Sequence, residues 1–346
     1  MFKVSPITKC HVNFRKVLAG MEFRTELQIP KSVRKISLQT SVFTMGSCFA
    51  EVIGNRLSDN KIATLVNPFG TIFNPISMAK LFRQAIDNQV PDEDLYVDNQ
   101  GVWLHYDFHS SLWGNSIAEL SARLTQKMQE VKYWLQKADF LIFTFGTAFV
   151  YRHLETNKIV ANCHKMPGSL FRKELLPIET IFNDFKKSVQ QIERQQSTPG
   201  IILTVSPVRH TKDTLQLNSV SKSVLRVACH ELCESQPDFH YFPAFEILLD
   251  DLRDYRFYKS DLIHPGEMAE EYIFEQFSET YFDSNLQHFI KDWQKIRQSL
   301  SHRPLQPNTH THRKFLENLL EKLQKLSNKV DVNSEIEQVQ RQIESI

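Results

Sequence analysis

Three short apolar runs end alike, each stopping at a small or polar turn, and this pattern most constrains the fold. Val42-Phe43-Thr44-Met45 stops at Gly46-Ser47-Cys48, Phe140–Phe145 at Gly146-Thr147, and Ile201–Val205 at Ser206-Pro207. Runs this short, rich in branched and aromatic residues, suit strands covered on both faces, and such strands belong to parallel sheets. Ile62–Val66 and His240–Phe245 read as two more strands. Helical periodicity fills the gaps over Ile117–Ala138, Ile178–Gln195, Val220–Glu234 and Met268–Leu300. The alternation predicts an α/β domain, and 346 residues suit one large domain with appendages.

Two inserts break the alternation. Leu95–Tyr106 reads as strand, Asp98-Asn99-Gln100-Gly101 turn, strand. Phe149–Cys163 reads as strand, Glu155-Thr156-Asn157-Lys158 turn, strand. Both are expected to be β-hairpins walling a pocket at the carboxyl edge of the sheet. Pro304–His312 reads as a linker. Beyond it Phe315, Leu319, Leu320, Leu323, Leu326 and Val330 form a helical apolar stripe. That stripe serves either a helix folded back on the domain or, as the other reading, a homo-oligomer contact. The expected divisions are an N-terminal extension over 1–20, a main domain over 21–302, and a linker with a C-terminal helix over 303–346. Residues 1–20 show no clear periodicity and read as a loosely ordered extension, or translation starts at Met21.

Composition excludes several classes. A formal charge of +1 gives no overall attraction to nucleic acid. No window holds the roughly 20 apolar residues of a membrane span, and the basic, polar start lacks a signal-peptide core. Five cysteines without a C-x-x-C pair suggest reduced thiols and a cytoplasmic location. Cys229 and Cys233, with His230 between, are too few for a metal site and read as structural. No metal or cofactor is expected.

Two segments carry chemistry. At Gly46-Ser47-Cys48-Phe49 a strand ends, glycine permits a tight turn, and a helix starts at a hydroxyl and a thiol. Helix-start N–H groups favour an anion, would ease loss of the thiol proton, and can stabilise an oxyanion. By itself the segment also reads as an N-cap serine followed by a buried cysteine. Ser260-Asp261-Leu262-Ile263-His264-Pro265 puts a carboxylate three residues before an imidazole in a turn, which suits an orienting acid and a base. Arg209 and His210 follow the Ile201–Val205 strand, at the edge where doubly wound sheets bind ligands. Arg209 suits a carboxylate or phosphate, or else pairs with Asp213, Asp250 or Asp251. His210 is an alternative base to His264. Lys222 reads as a solvated helix residue, and Arg253, Asp254 and Arg256 as structural ion pairs rather than ligands.

The string Gly46-Ser47-Cys48-Phe49-Ala50 is the motif for which the GSCFA family is named, and the chain resembles that family well beyond it. MEFRTEL (21–27), NPFGTIFNP (67–75), DFHSSL (107–112), FGTAFVY (145–151), ANCHK (161–165), SPVRH (206–210) and the segment 241–265 all look like the family. A nucleophile turn first and D-x-x-H last also resembles the SGNH/GDSL esterases and acyl hydrolases. The resemblance implies a three-layer α/β/α doubly wound sheet of flavodoxin-like order. It further implies a hydrolase of esters or thioesters, or an acyltransferase, acting on a small-molecule, glycan or lipid ester.

Carried over by residue, the nucleophile position falls on Cys48, with Ser47 where those enzymes have Asp; Ser47 is the alternative nucleophile. His264 and Asp261 match the acid–base pair. Gly70 is the best match to the second-block glycine, whose N–H serves an oxyanion. The third-block Asn is absent from Gly146-Thr147-Ala148, and losing such a donor costs about 3 kcal/mol in a hydrolase. Asn162 and then Asn74 are the expected replacements. The competing reading is a catalytically decayed protein of the same fold that binds an anionic ligand, using Arg209, Lys165 and the helix start.

Overall fold

A computed structural model of the protein describes residues 24–193, 198–302, 304 and 309–346. The expected extension over 1–20 lies outside the described residues, as do residues 305–308 of the expected linker. The strands are β1 (Ser41–Gly46), β2 (Ala63–Val66), β3 (Tyr96–Asn99), β4 (Val102–His105), β5 (Phe140–Phe145), β6 (Phe149–His153), β7 (Ile159–Val160), β8 (Phe171–Leu175), β9 (Gly200–Val205) and β10 (Phe239–Tyr241). The helices are α1 (Cys48–Asp59), α2 (Pro75–Ile86), α3 (Ile117–Lys137), α4 (Ile178–Glu193), α5 (Thr214–Ser235), the turn α6 (Ala244–Glu246), α7 (Glu267–Tyr281), α8 (Ser284–Ser301), α9 (His310–Leu326) and α10 (Asn333–Glu344).

Five strands form one parallel sheet in the order β10-β9-β5-β1-β2. Every residue of the central strands β5 and β9 is buried, because alternate side chains enter different cores. Phe43, Leu141, Phe143, Phe145, Leu203 and Val205 pack with α2, α3, α4 and α5. Val42, Phe140, Ile142 and Ile202 pack with α1, α7 and α8. This double coverage is why the strands read as continuous apolar runs rather than alternating ones. The chain is therefore an α/β protein built on a parallel sheet.

Both inserts are present. β3 and β4 pair antiparallel, with Asp98 Oδ1 accepting the Gly101 N–H at 2.9 Å across the turn. The second insert holds one strand more than expected, since β8 joins β6 and β7 in a three-stranded sheet. Phe171–Leu175 carries mostly charged residues with no clean alternation, which hides it as a strand. Tyr106 O accepts from Ala161 and Asn162 N–H at 2.9 and 3.0 Å, tying the two inserts together.

The expected helix over Met268–Leu300 divides at Phe282-Asp283. Asp283 caps α8 by accepting the Leu286 N–H at 2.7 Å, while Phe282 bridges to Ile36. The C-terminal stripe from Phe315 to Leu326 lies on α9, which begins at His310 inside the expected linker, and a second helix, α10, follows Val330. Leu316, Leu319 and Leu323 of α9 are buried with Val339 of α10 against Trp293 and Ile296 of α8. The stripe is thus covered within the chain, which removes the basis for an oligomer contact through it. Lys61 ties this unit to the main sheet, with Nζ 2.6 Å from Glu335 and 5.1 Å from the centre of the Trp293 ring. Among the described residues no helix is long and apolar enough to cross a membrane.

Candidate functional site

The turn after β1 is fixed from three directions. Gly46 has φ of 149°, and a Cβ there would lie 2.3 Å from Thr144 O of β5. Its N–H donates to Asn67 Oδ1 and its carbonyl accepts from Ile72, each at 2.9 Å, while Ser47 N–H donates to Thr144 O at 3.0 Å. Ser47 is fully buried as the N-cap of α1, its Oγ accepting the Phe49 N–H at 3.3 Å. Cys48, the next residue, is half-buried as the first residue of the helix, beside the N–H groups of the helix start. Burial pushes the thiol above its ordinary value, opposed by Lys222 and by those N–H groups. The helix start therefore does not lower the resting thiol as expected, because desolvation outweighs it.

The second segment forms the expected pair. His264 Nδ1 lies 2.7 Å from Asp261 Oδ2, and Asp261 Oδ1 accepts the N–H groups of Ile263 and His264 at 2.9 and 3.0 Å. The N–H groups of His264 and Ile263, then the imidazole, hold the Asp261 carboxyl far below its usual range. Arg209 secures this loop: its N–H donates to Ile263 O and its Nη1 to Leu262 O, each at 3.2 Å. The guanidinium stacks 4.1 Å from the centre of the Tyr258 ring. It forms none of the three acidic pairs considered for it. Asp213 instead pairs with Lys173 of β8, which draws the second insert against the loop following β9.

Lys222 is only 2% exposed, not solvated as its helical position suggests. Its Nζ donates to Gly146 O at 2.8 Å and Ser206 O at 2.7 Å, bridging the carboxyl ends of β5 and β9. Burial lowers its pKa to about 7, with Cys48 acting in the opposite direction. On α5, Lys222 falls three residues before Leu225 and seven before Cys229, both buried, so it shares their apolar face. That spacing was the signal available in the sequence. His210 follows β9, its ring edge-to-face with Phe73 at 5.3 Å. Burial, reinforced by Lys222, lowers His210 to about 4. Its Nε2 is buried without a hydrogen-bond partner. Asp261 pairs with His264, and among the described residues no carboxylate is hydrogen-bonded to the His210 ring.

Residues 41–277 match the GSCFA family, from the start of β1 into α7. The protein belongs to the GSCFA family. Residues 293–345 also match the GSCFA domain protein, C-terminal domain, which spans the second half of α8 together with α9 and α10. No curated protein matches the chain.

In this GSCFA protein the backbone donors of Gly70 and Gly146 are already engaged. Gly70 has φ of 74° and donates its N–H to Asn67 O at 2.7 Å, so that donor is taken. Gly146 N–H is donated to Phe73 O at 2.8 Å. Asn74 caps α2 through Oδ1, which accepts the Ser77 N–H at 2.8 Å. Asn162 Oδ1 accepts the His164 N–H at 2.8 Å and its own N–H goes to Tyr106 O. These two contacts place Asn162 at the joint between the inserts. Among the described residues no group of three metal-ligating side chains forms, and Cys229 lies in the core. The Arg253–Arg256 link carries an Arg256–Asp254 ion pair at 3.1 Å.

Proposed function

We propose that this GSCFA protein is an acyl-group enzyme in which Cys48 attacks, His264 is the base, and Asp261 orients the imidazole. The observation that carries it is the 2.7 Å contact between His264 Nδ1 and Asp261 Oδ2, on a loop pinned to the end of β9. An Nδ1–H held by the carboxylate leaves Nε2 unprotonated and able to take a proton from a nucleophile. Cys48 is preferred over Ser47 because the serine Oγ is buried in its capping contact, whereas the cysteine is half-buried. The strand order and the two cores support the finer reading of an SGNH-like three-layer domain.

In the reaction Cys48 sulfur adds to the substrate carbonyl and its proton passes to His264. The N–H at the helix start meets the developing oxyanion. Collapse expels the alcohol or thiol, which takes the proton from His264 and leaves an acyl-cysteine. Water then gives hydrolysis and an alcohol gives transfer. A small-molecule, glycan or lipid ester in the cytoplasm remains the proposed substrate, with the inserts bordering the site.

Turnover of a p-nitrophenyl ester and a thioester by wild type, Cys48→Ala, Ser47→Ala and His264→Ala tests this. Loss in both Cys48→Ala and His264→Ala is expected. Full turnover by Cys48→Ala would overturn the assignment. One observation favours the binding-protein reading: the N–H groups of Gly70 and Gly146 are both engaged. Under that reading no variant changes ester turnover, and an anionic ligand protects Cys48 from alkylation.

A further inference from the structure

A cavity of about 190 Å³ lies against Arg209 and Tyr258, and the proposed chemistry makes no use of it. Its walls are mainly apolar: Leu215 of α5, Phe245 of α6, Leu248 and Leu249 of the wide helical turn Ile247–Leu252, and the rings of Tyr255 and Tyr258. Leu215, Leu249 and Tyr255 are also exposed, so the apolar lining reaches solvent. Roughly 150 Å³ of apolar cavity holds a benzene-sized group, so this space suits a chain or ring of about six carbons. Arg253 ends the wide turn in a left-handed conformation with φ of 56°, and Asp254 then accepts the Arg256 N–H at 2.8 Å. This bend brings Tyr255 and Tyr258 to Arg209, with ring centres 5.3 and 4.1 Å from the guanidinium carbon.

Arg209 is the charged group in this lining, and no carboxylate among the described residues pairs with it. Its guanidinium donates to Leu262 O through Nη1. Stacking on tyrosines uses the face of the guanidinium plane, whereas its N–H bonds radiate from the edge, where a carboxylate is met bidentately. Asn218 lines the cavity as well. Its Oδ1 accepts the His210 N–H at 2.9 Å, which fixes the amide, and its Nδ2 is bonded to no described residue. Apolar walls with a few placed polar groups are the usual build of a small-ligand site.

We propose that this cavity binds an apolar carboxylate of about six carbons, with its chain against Leu215, Phe245, Leu248 and Leu249 and its carboxylate on Arg209 beside Asn218. The chain fills the apolar volume, and the anion supplies the charge that the protein itself does not bring to Arg209. An alcohol of the same length fills the volume but leaves the cation unmatched, and an ammonium is repelled. Cys48 does not line the cavity, so the site stands whether or not Cys48 is a nucleophile.

The test is an NMR titration of the full-length protein with butanoate, hexanoate, octanoate, hexanol and hexylammonium. Each buried methylene should tighten binding about fourfold, so hexanoate should bind roughly tenfold more tightly than butanoate, and octanoate should gain little more. Hexanol and hexylammonium should bind about tenfold more weakly than hexanoate, or worse. Arg209→Gln should remove the preference for the carboxylate head while keeping the gain with chain length. Ser219→Trp fills the cavity from an exposed position on α5, so it should abolish hexanoate binding with little change in melting temperature. Cys48→Ala should bind hexanoate as wild type does. Equal binding of hexanoate and butanoate, equal binding of hexanoate and hexanol, or unchanged binding by folded Ser219→Trp would each overturn the proposal. None of these readouts uses ester turnover, so failure of the acyl-enzyme reading remains separately visible.

Discussion

One carboxylate of Asp261 holds both the side chain and the backbone of His264: Oδ2 meets Nδ1 at 2.7 Å, and Oδ1 accepts the His264 N–H at 3.0 Å. The imidazole is thereby fixed in position and tautomer. Asp261→Asn presents an amide of the same shape but removes the charge that favours Nδ1–H. Turnover should fall by roughly 10²–10⁴-fold with little change in melting temperature, measured on the same ester panel. The Asp261 carboxyl is held below its ordinary value, so the stabilisation from this pairing is fully present above about pH 4. It should be lost only as the solution is acidified further, well below the neutral range.

Lys222 predicts a pH effect of the opposite kind. Its folded pKa of about 7 lies below its ordinary value of 10.5, so between these values the unfolded chain binds more protons. Stability should therefore rise with pH above about 7, with a contribution approaching about 1.4 kcal/mol per pH unit. The buried thiols, raised from 9.0, act in the other direction at higher pH. Urea melts of wild type and Lys222→Met between pH 7 and 8.5 should thus differ in slope. Equal slopes would contradict the burial of a titrating amine.

Gly46→Ala should be strongly destabilising, because its Cβ would enter the Thr144 carbonyl at 2.3 Å in a backbone conformation that L residues rarely adopt. A loss of about 1–3 kcal/mol is expected from denaturant melts. Gly101→Ala is a useful comparison, since its Cβ would meet nothing within 4 Å although φ is 84°. It should lose only about 1 kcal/mol.

Arg209→Ala removes the contacts to Leu262 O and the Tyr258 ring while leaving the sheet intact. Ester turnover should fall more than tenfold with a small change in melting temperature, as expected when a positioning contact is lost. Hydrogen exchange should rise over 259–265. Unchanged exchange there would mean that the loop holds its own shape.

Leu323→Ala should cost about 2–5 kcal/mol, since Leu323 is fully buried between α8, α9 and α10. Removing 310–346 would uncover Trp293 and Ile296 and should cause association rather than dissociation, measurable by light scattering. A stable, unaggregated shortened protein would show that these helices contribute little to the main domain.

The sequence alone determined the elements whose causes are local. Apolar runs ending in glycine or serine marked the central strands because a parallel sheet buries both faces. The Asp261–His264 pair was legible because its two members are three residues apart in a single turn. The GSCFA string marked the helix start for the same reason, since a tight turn and a cap lie within four residues. What tertiary structure alone decided are the relations between distant segments. The parallel order of β1, β5 and β9 brings Cys48, Gly146 and Ser206 to one edge, and the face of α5 turned to that edge buries Lys222. Packing also settled that the donors of Gly70 and Gly146 were already engaged, and why the Cys48 thiol is raised rather than lowered. Desolvation and hydrogen-bond partners are properties of what surrounds a residue in space, and spacing along the chain does not encode them.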